Sequence, residues 1–159
     1  MDARDFIRNV VKKQMLEIWV ENIFKVENAH IVMNLPALAI TFIDVFQGLF
    51  KDCQHLRSKA QVLPKVYVYG FSKSETPEID IQERCEKYLG AKLDANHLDG
   101  AFFVRNVAPN KDMMRASFLL PEEVLFDLDV PESNKENDDE RSGVKRAGSP
   151  DSSESLKKR

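Results

Sequence analysis

Ala29-His30-Ile31-Val32-Met33-Asn34-Leu35-Pro36 is the stretch whose reading decides the fold. A mostly apolar run stops at a polar amide, and a proline follows two places later. The next apolar residues, Leu38, Phe42, Val45 and Leu49, recur at the spacing of one helix face, so a helix over about 37–51 is expected. An apolar run that feeds such a helix reads as a buried parallel strand with its crossover. In open α/β sheets ligands sit outside the carboxyl ends of the strands, which puts Asn34 where chemistry is done.

Working outward, Ile7, Val11, Met15, Ile18 and Trp19 describe a helix from the start of the chain to about Lys25. Asp2 or Asp5 serves as its cap or first-turn acid. Downstream, Gln54 to Pro64 reads as a polar connection containing His55, Arg57 and Lys59. Lys65 to Phe71 is a second strand, β-branched and aromatic. Thr76 as N-cap and Pro77 at the first helical position open a helix that presents Ile81, Cys85, Tyr88 and Leu89 and stops at Gly90. Ala101–Val107 and Met114–Leu120 are two strands of a hairpin joined by Ala108-Pro109-Asn110-Lys111-Asp112. The fold class is therefore α/β, a mostly parallel sheet finished by a terminal antiparallel hairpin.

With 159 residues, 43% of them hydrophobic, one domain with a real core is the default. A net charge of −3 fits neither a chain that coats nucleic acid along its whole surface nor an acidic solvating one. Cys53 and Cys85 have no motif spacing and read as reduced thiols of an intracellular protein. No apolar run reaches the length of a membrane span, and no signal peptide opens the chain. Residues 1–126 make the domain. Residues 127–159, rich in Ser, Asp, Glu, Asn and Lys, bury too little to offset their ordering entropy and are expected to be a disordered tail.

Something is missing from this layout. The first helix has no strand before it, and no glycine-rich strand-to-helix turn that can cradle a cofactor occurs anywhere. Alone, the first parallel strand would be an exposed apolar edge, a liability for pairing or aggregation. A small complete domain is one reading; the other, preferred here, is the C-terminal part of a larger fold.

Three blocks make the sequence specific: Met1-Asp2-Ala3-Arg4-Asp5-Phe6-Ile7, His30-Ile31-Val32-Met33-Asn34-Leu35-Pro36-Ala37, and Val104-Arg105-Asn106-Val107-Ala108-Pro109-Asn110-Lys111-Asp112-Met113. In this order, and over residues 1 to about 126, they resemble the tRNA (guanine(37)-N(1))-methyltransferase family of eukaryotic and archaeal type. The resemblance implies the C-terminal portion of a Rossmann-like fold that uses S-adenosylmethionine, with tRNA as substrate and a monomeric state. Met1 then falls inside a motif, as in a truncated or mis-started product. The cofactor loop, the first strands, the tRNA-gripping domains and the family's acid/base residues would all lie upstream, so the isolated chain is expected to be inactive.

The resemblance also implies roles. Methylating N1 of guanine needs a base to remove the ring proton and a geometry that aligns nitrogen, methyl and sulfur. A rigid amide offers both donor and acceptor, so Asn34 becomes the cofactor-contacting, target-orienting residue, with Pro36 stiffening the turn behind it. From spacing alone Asn34 reads equally well as a helix N-cap. Asp2 accepts from the adenosine side of the cofactor and Ala3 offers its backbone N–H; helix capping is the alternative for Asp2. Arg105, Lys111 and Arg115 flank the hairpin and can meet tRNA phosphates, although charges there are more often simply solvated.

His30, His55 and His97 lack metal-like spacing, and no metal is expected. Trp19 and the phenylalanines fall at core spacing rather than forming a stacking platform. In the tail, Lys145-Arg146 and Lys157-Lys158-Arg159 have the layout of a bipartite nuclear import signal, with Ser149-Pro150 between them as a phosphorylation site. That layout, with the family's range, gives nucleus and cytoplasm, and the mitochondrial matrix if a leader lies upstream. Two rivals remain: the homologous aminocarboxypropyl transferase of the wybutosine pathway, against which Asn34-Leu35-Pro36-Ala37 speaks, and an inactive interaction module.

Overall fold

The structure, a computed structural model, describes residues 2–21 and 26–127. The tail reading and the import signal therefore fall outside the described residues.

Residues Ala3–Phe6, a π-helical turn Ile7–Val11 and Lys12–Glu21 run on from one another and form one helix, α1. Strand β1 spans Ala29–Met33 and is followed by a 3-10 helix over Ala39–Phe46 and another over Lys51–Lys59. Strand β2 (Pro64–Ser72), helix α2 (Pro77–Leu89), strands β3 (Leu98–Ala108) and β4 (Lys111–Leu119) and a short helix α3 (Glu122–Phe126) complete the order.

The four strands form one sheet in the order β1-β2-β4-β3. β1 runs parallel to β2, while β4 is antiparallel to both β2 and β3. The α/β class and the terminal hairpin are as the sequence predicts, but the sheet is mixed rather than mostly parallel. The returning strand β4 inserts beside β2, which reverses the direction at every later pairing. The hairpin turn is tight: Pro109 supplies its fixed φ, and Asn110 takes the left-handed conformation at φ 54°, which asparagine tolerates.

β2 alternates buried and half-buried residues without a break. Its buried set, Val66, Val68 and Gly70, faces Phe118, Ala116 and Met114 across the β4 ladder. The helices pack on this side, bringing Ile40, Ile43, Phe46, Ile81, Cys85 and Leu89 into one core. Trp19, Phe50 and Phe126 extend it, with ring centroids 4.5 Å (Trp19–Phe50) and 5.8 Å (Trp19–Phe126) apart. The Trp19 indole donates to the Val62 carbonyl at 2.8 Å, so its polar edge is satisfied. Both cysteines are free; burial pushes the Cys85 thiol up to about 12, which makes it inert.

Gly70 is small for a reason. A Cβ added there would run into Ile40 Cδ1 and come within 3.0 Å of Ile81 Cδ1, and both residues are fully packed. Gly70→Ala is expected to cost about 1–3 kcal/mol by overpacking, read as a lowered urea midpoint with unchanged slope. An unchanged midpoint would mean that the 3-10 helix bearing Ile40 moves aside freely.

Three further expectations need correction. The segment after Pro36 is 3-10 rather than α-helical: its buried stripe is Ile40, Ile43 and Phe46, a period of three, and Leu38, predicted on the packed face, is 49% exposed. The connection read over 54–64 begins inside the 3-10 helix Lys51–Lys59, which buries no residue and so leaves no apolar stripe to read. β1 is parallel but not buried: it is an edge strand, with Val32 64% exposed. Helix α2, by contrast, starts at Pro77 and ends at a left-handed Gly90 as expected. Its Thr76 hydroxyl makes no cap bond; Ser74 Oγ accepts from the Thr76 N–H instead.

Candidate functional site

Strands β1, β2 and β3 point the same way, so their carboxyl ends share one rim of the sheet. β1 stops early there: Met33 pairs with Val68, while β2 continues to Ser72. The chain then turns sharply, with Leu38 and Ala39 N–H groups donating to the Leu35 carbonyl at 2.9 and 2.7 Å. Pro36 sits at the second position of this turn, where its fixed φ is an asset.

Asn34 is exposed at the exit of β1. It does not cap the following helix, whose N-cap position is Leu38, without a side-chain cap bond. The capping alternative thus fails, and the amide stays available to something outside the strand.

A cavity of about 360 Å³ opens beside it, between the start of α1 and the end of β1. That is within the size range of small-molecule sites, roughly 300–1,000 Å³. Phe6, Ile7, Val11, Ile31, Met33 and Phe42 give it apolar walls; Asp2, Ala3 and Asn34 line it as well. Pro36 does not reach it. Two sequence blocks separated by more than twenty residues therefore converge on one hollow.

The local reasons are legible. Asp2 holds the N-cap position of α1 with extended backbone; its carbonyl accepts from the Phe6 N–H at 2.9 Å, while its carboxylate makes no cap bond. A carboxylate is favoured electrostatically at that helix end. The π turn Ile7–Val11 inserts extra backbone into α1, and both of its end residues line the hollow. A flat heteroaromatic ring fits apolar walls of this kind, and a carboxylate beside them accepts hydrogen bonds from hydroxyl or amino groups. The residues present thus suit the adenosine half of a nucleoside-type cofactor.

The basic candidates divide. Arg105 is exposed on β3, near the same rim. Lys111 opens β4 and places its ammonium 4.2 Å from the centre of the Phe71 ring. Arg115 is drawn into the sheet instead: it pairs with Tyr69 and Phe102 across the ladders, stacks 5.2 Å from the Phe102 ring and 5.9 Å from Tyr67, and keeps its Nε buried without a partner. On the same face Lys65 is held above its ordinary pKa by a hydrogen bond to the Asp99 carboxylate.

Sequence reasoning did not find Arg4 and Asp44. Arg4 Nε and Nη2 donate to the two Asp44 carboxylate oxygens at 3.0 and 3.1 Å, and Nη2 also reaches the Thr41 carbonyl at 3.1 Å. Nothing local signals a pair forty positions apart.

No family model matches the chain. Curated relatives do. The tRNA (guanine(37)-N(1))-methyltransferase of Xenopus tropicalis is 40% identical over 143 residues, covering 84% of this chain and 27% of that protein. Its Drosophila melanogaster counterpart is 41% identical over 128 residues, covering 80% and 28%. The human one is 37% identical over 126 residues, covering 79% and 24%. Among solved structures, wild-type Trm5b from Pyrococcus abyssi aligns with 60% of this chain and 26% of its own at 22% identity and a TM-score of 0.39, too loose a likeness to argue from. By sequence, the chain is similar to tRNA (guanine(37)-N(1))-methyltransferases, and it spans about a quarter of the length of those it matches.

Proposed function

We propose that this chain forms one wall of the active site of a tRNA methyltransferase that modifies N1 of guanine 37 with S-adenosylmethionine. The observation that carries the reading is the convergence of Asp2, Ala3 and Asn34 on one cavity at the carboxyl rim of the sheet. It is supported by the named activity of relatives 36–43% identical to the chain.

In this reading Asp2 accepts from the adenosine hydroxyl or amino groups, the Ala3 N–H donates beside it, and the apolar walls enclose the adenine ring. The cofactor, when bound, supplies an electrophilic methyl group on its sulfonium. Asn34, beyond the end of β1, directs one face of its amide to the cofactor's amino-acid portion or to the edge of the guanine. That contact keeps the accepting nitrogen in line with the methyl, and alignment of this kind is a large part of the barrier reduction. Pro36 fixes the turn that carries Asn34. Arg105 and Lys111, on the same rim, meet phosphates of the tRNA backbone, contacts that position without reading sequence. The group that takes the N1 proton is not assigned among these residues.

The test is a hybrid in which this chain replaces its matched segment in the Xenopus tropicalis relative. Methyl transfer to a tRNA bearing guanosine at position 37 is expected to survive, and to vanish on a tRNA bearing adenosine there. A folded hybrid with no transfer, or one that transfers an aminocarboxypropyl group, overturns the reading.

A further inference from the structure

The first turn of α1, Ala3–Phe6, carries the Asp2–Ala3 side of the cavity yet buries no residue. Phe6 is 47% exposed, and the first buried side chain is Ile7. Apolar burial therefore does not fix where Asp2 stands. The opposite side, Leu35 to Phe42, belongs to the turn and 3-10 helix that follow Asn34.

We propose that Arg4 and Asp44 form a clasp that holds these two sides at their working distance, making both of them positioning residues for the cofactor site. The inference rests on the reading of the cavity given above.

Three observations distinguish the clasp from an ordinary surface ion pair, which contributes little. The pairing is a two-pronged fork, Nε to one oxygen at 3.0 Å and Nη2 to the other at 3.1 Å, the geometry in which arginine is hardest to replace. The guanidinium has a third partner in the Thr41 carbonyl and stacks 4.8 Å from the centre of the Phe42 ring, itself part of the cavity wall. Both side chains are shielded, at 31% and 16% exposure, whereas the Lys13–Glu17 pair farther along α1 is open to water and 3.9 Å long. The fork thus joins the residue next to Ala3 directly to the 3-10 helix two residues beyond Phe42.

Hydrogen exchange on the full chain tests this. The Phe6 N–H is bonded to the Asp2 carbonyl, and the Ile7 N–H to those of Ala3 and Arg4, so these two amides report on the first turn. In Arg4→Ala and in Asp44→Asn they are expected to exchange about tenfold faster, while the mid-sheet amides of Val66 and Ala116 keep their rates. The double variant is expected to be no faster than the worse single one, the mark of a coupled pair. Unchanged Phe6 and Ile7 rates, acceleration spread evenly over the chain, or effects that add in the double variant would each sink the clasp. In the hybrid enzyme, Arg4→Ala is expected to raise KM for S-adenosylmethionine about tenfold with KM for tRNA unchanged. A hybrid inactive before any substitution counts against the cavity reading alone, and the exchange rates still decide the clasp.

Discussion

Asn34→Ala in the hybrid enzyme is expected to slow methyl transfer by roughly a hundredfold or more while leaving the melting temperature nearly unchanged. A 1 Å loss of alignment at a reacting centre costs on that order. The side chain is exposed and caps no helix, so its removal stays within about 0.5 kcal/mol of neutral for stability. Single-turnover kinetics separate the possibilities. If Asn34 orients the guanine, the chemical step slows and cofactor affinity barely moves; if it grips the cofactor, affinity falls as well. Asn34→Asp refines the assignment, because it keeps an acceptor and removes the amide donor. An unchanged rate in Asn34→Ala would remove the residue from the site.

The second large effect is structural. Phe126 is fully buried at the end of α3, stacked near Trp19 and Phe50 and capped from outside by the Arg57 guanidinium 5.6 Å from its ring. The five-residue helix cannot stand alone. It docks through the Gly48 N–H on the Val124 carbonyl at 2.8 Å, the Phe50 N–H on Leu125 at 2.9 Å and the Gln54 amide on Phe126 at 2.7 Å. Phe126→Ala is expected to cost about 3–5 kcal/mol, and Glu123→Ala, on the exposed side of the same helix, under about 0.5 kcal/mol. Urea unfolding followed by Trp19 fluorescence measures both. A Phe126→Ala midpoint close to the parent would show that α3 is an appendage rather than part of the core.

How much of this was legible depended on whether the information was local. β2 was readable because its residues are β-branched and aromatic, and α2 because Pro77 and Gly90 punctuate it. The hairpin was readable because Pro109-Asn110 supplies the two backbone conformations a tight turn needs. The segment after Pro36 misled because apolar residues are dense there, and a stripe at four-residue spacing hides one at three. Strand direction was only partly legible: periodicity says which residues form a strand, not which neighbour it finds. At the site, Asp2, Ala3 and Asn34 line one cavity; Asn34 is legible from its place where an apolar run ends, Asp2 and Ala3 only through the family resemblance. Arg115 was placed beside the hairpin but is pulled between Tyr67 and Phe102, a preference for ring faces that charge alone does not reveal.

Among the described residues, the hollow at the rim takes its lining only from stretches 2–11 and 31–42. Helix α2 and strands β3 and β4, which make up most of the remaining bulk, contribute none of it. Tolerance to substitution should therefore be lopsided along the chain. Replacements beyond about Ser72 act on the hollow only through the firmness of the platform. Those in the opening quarter reshape the hollow directly.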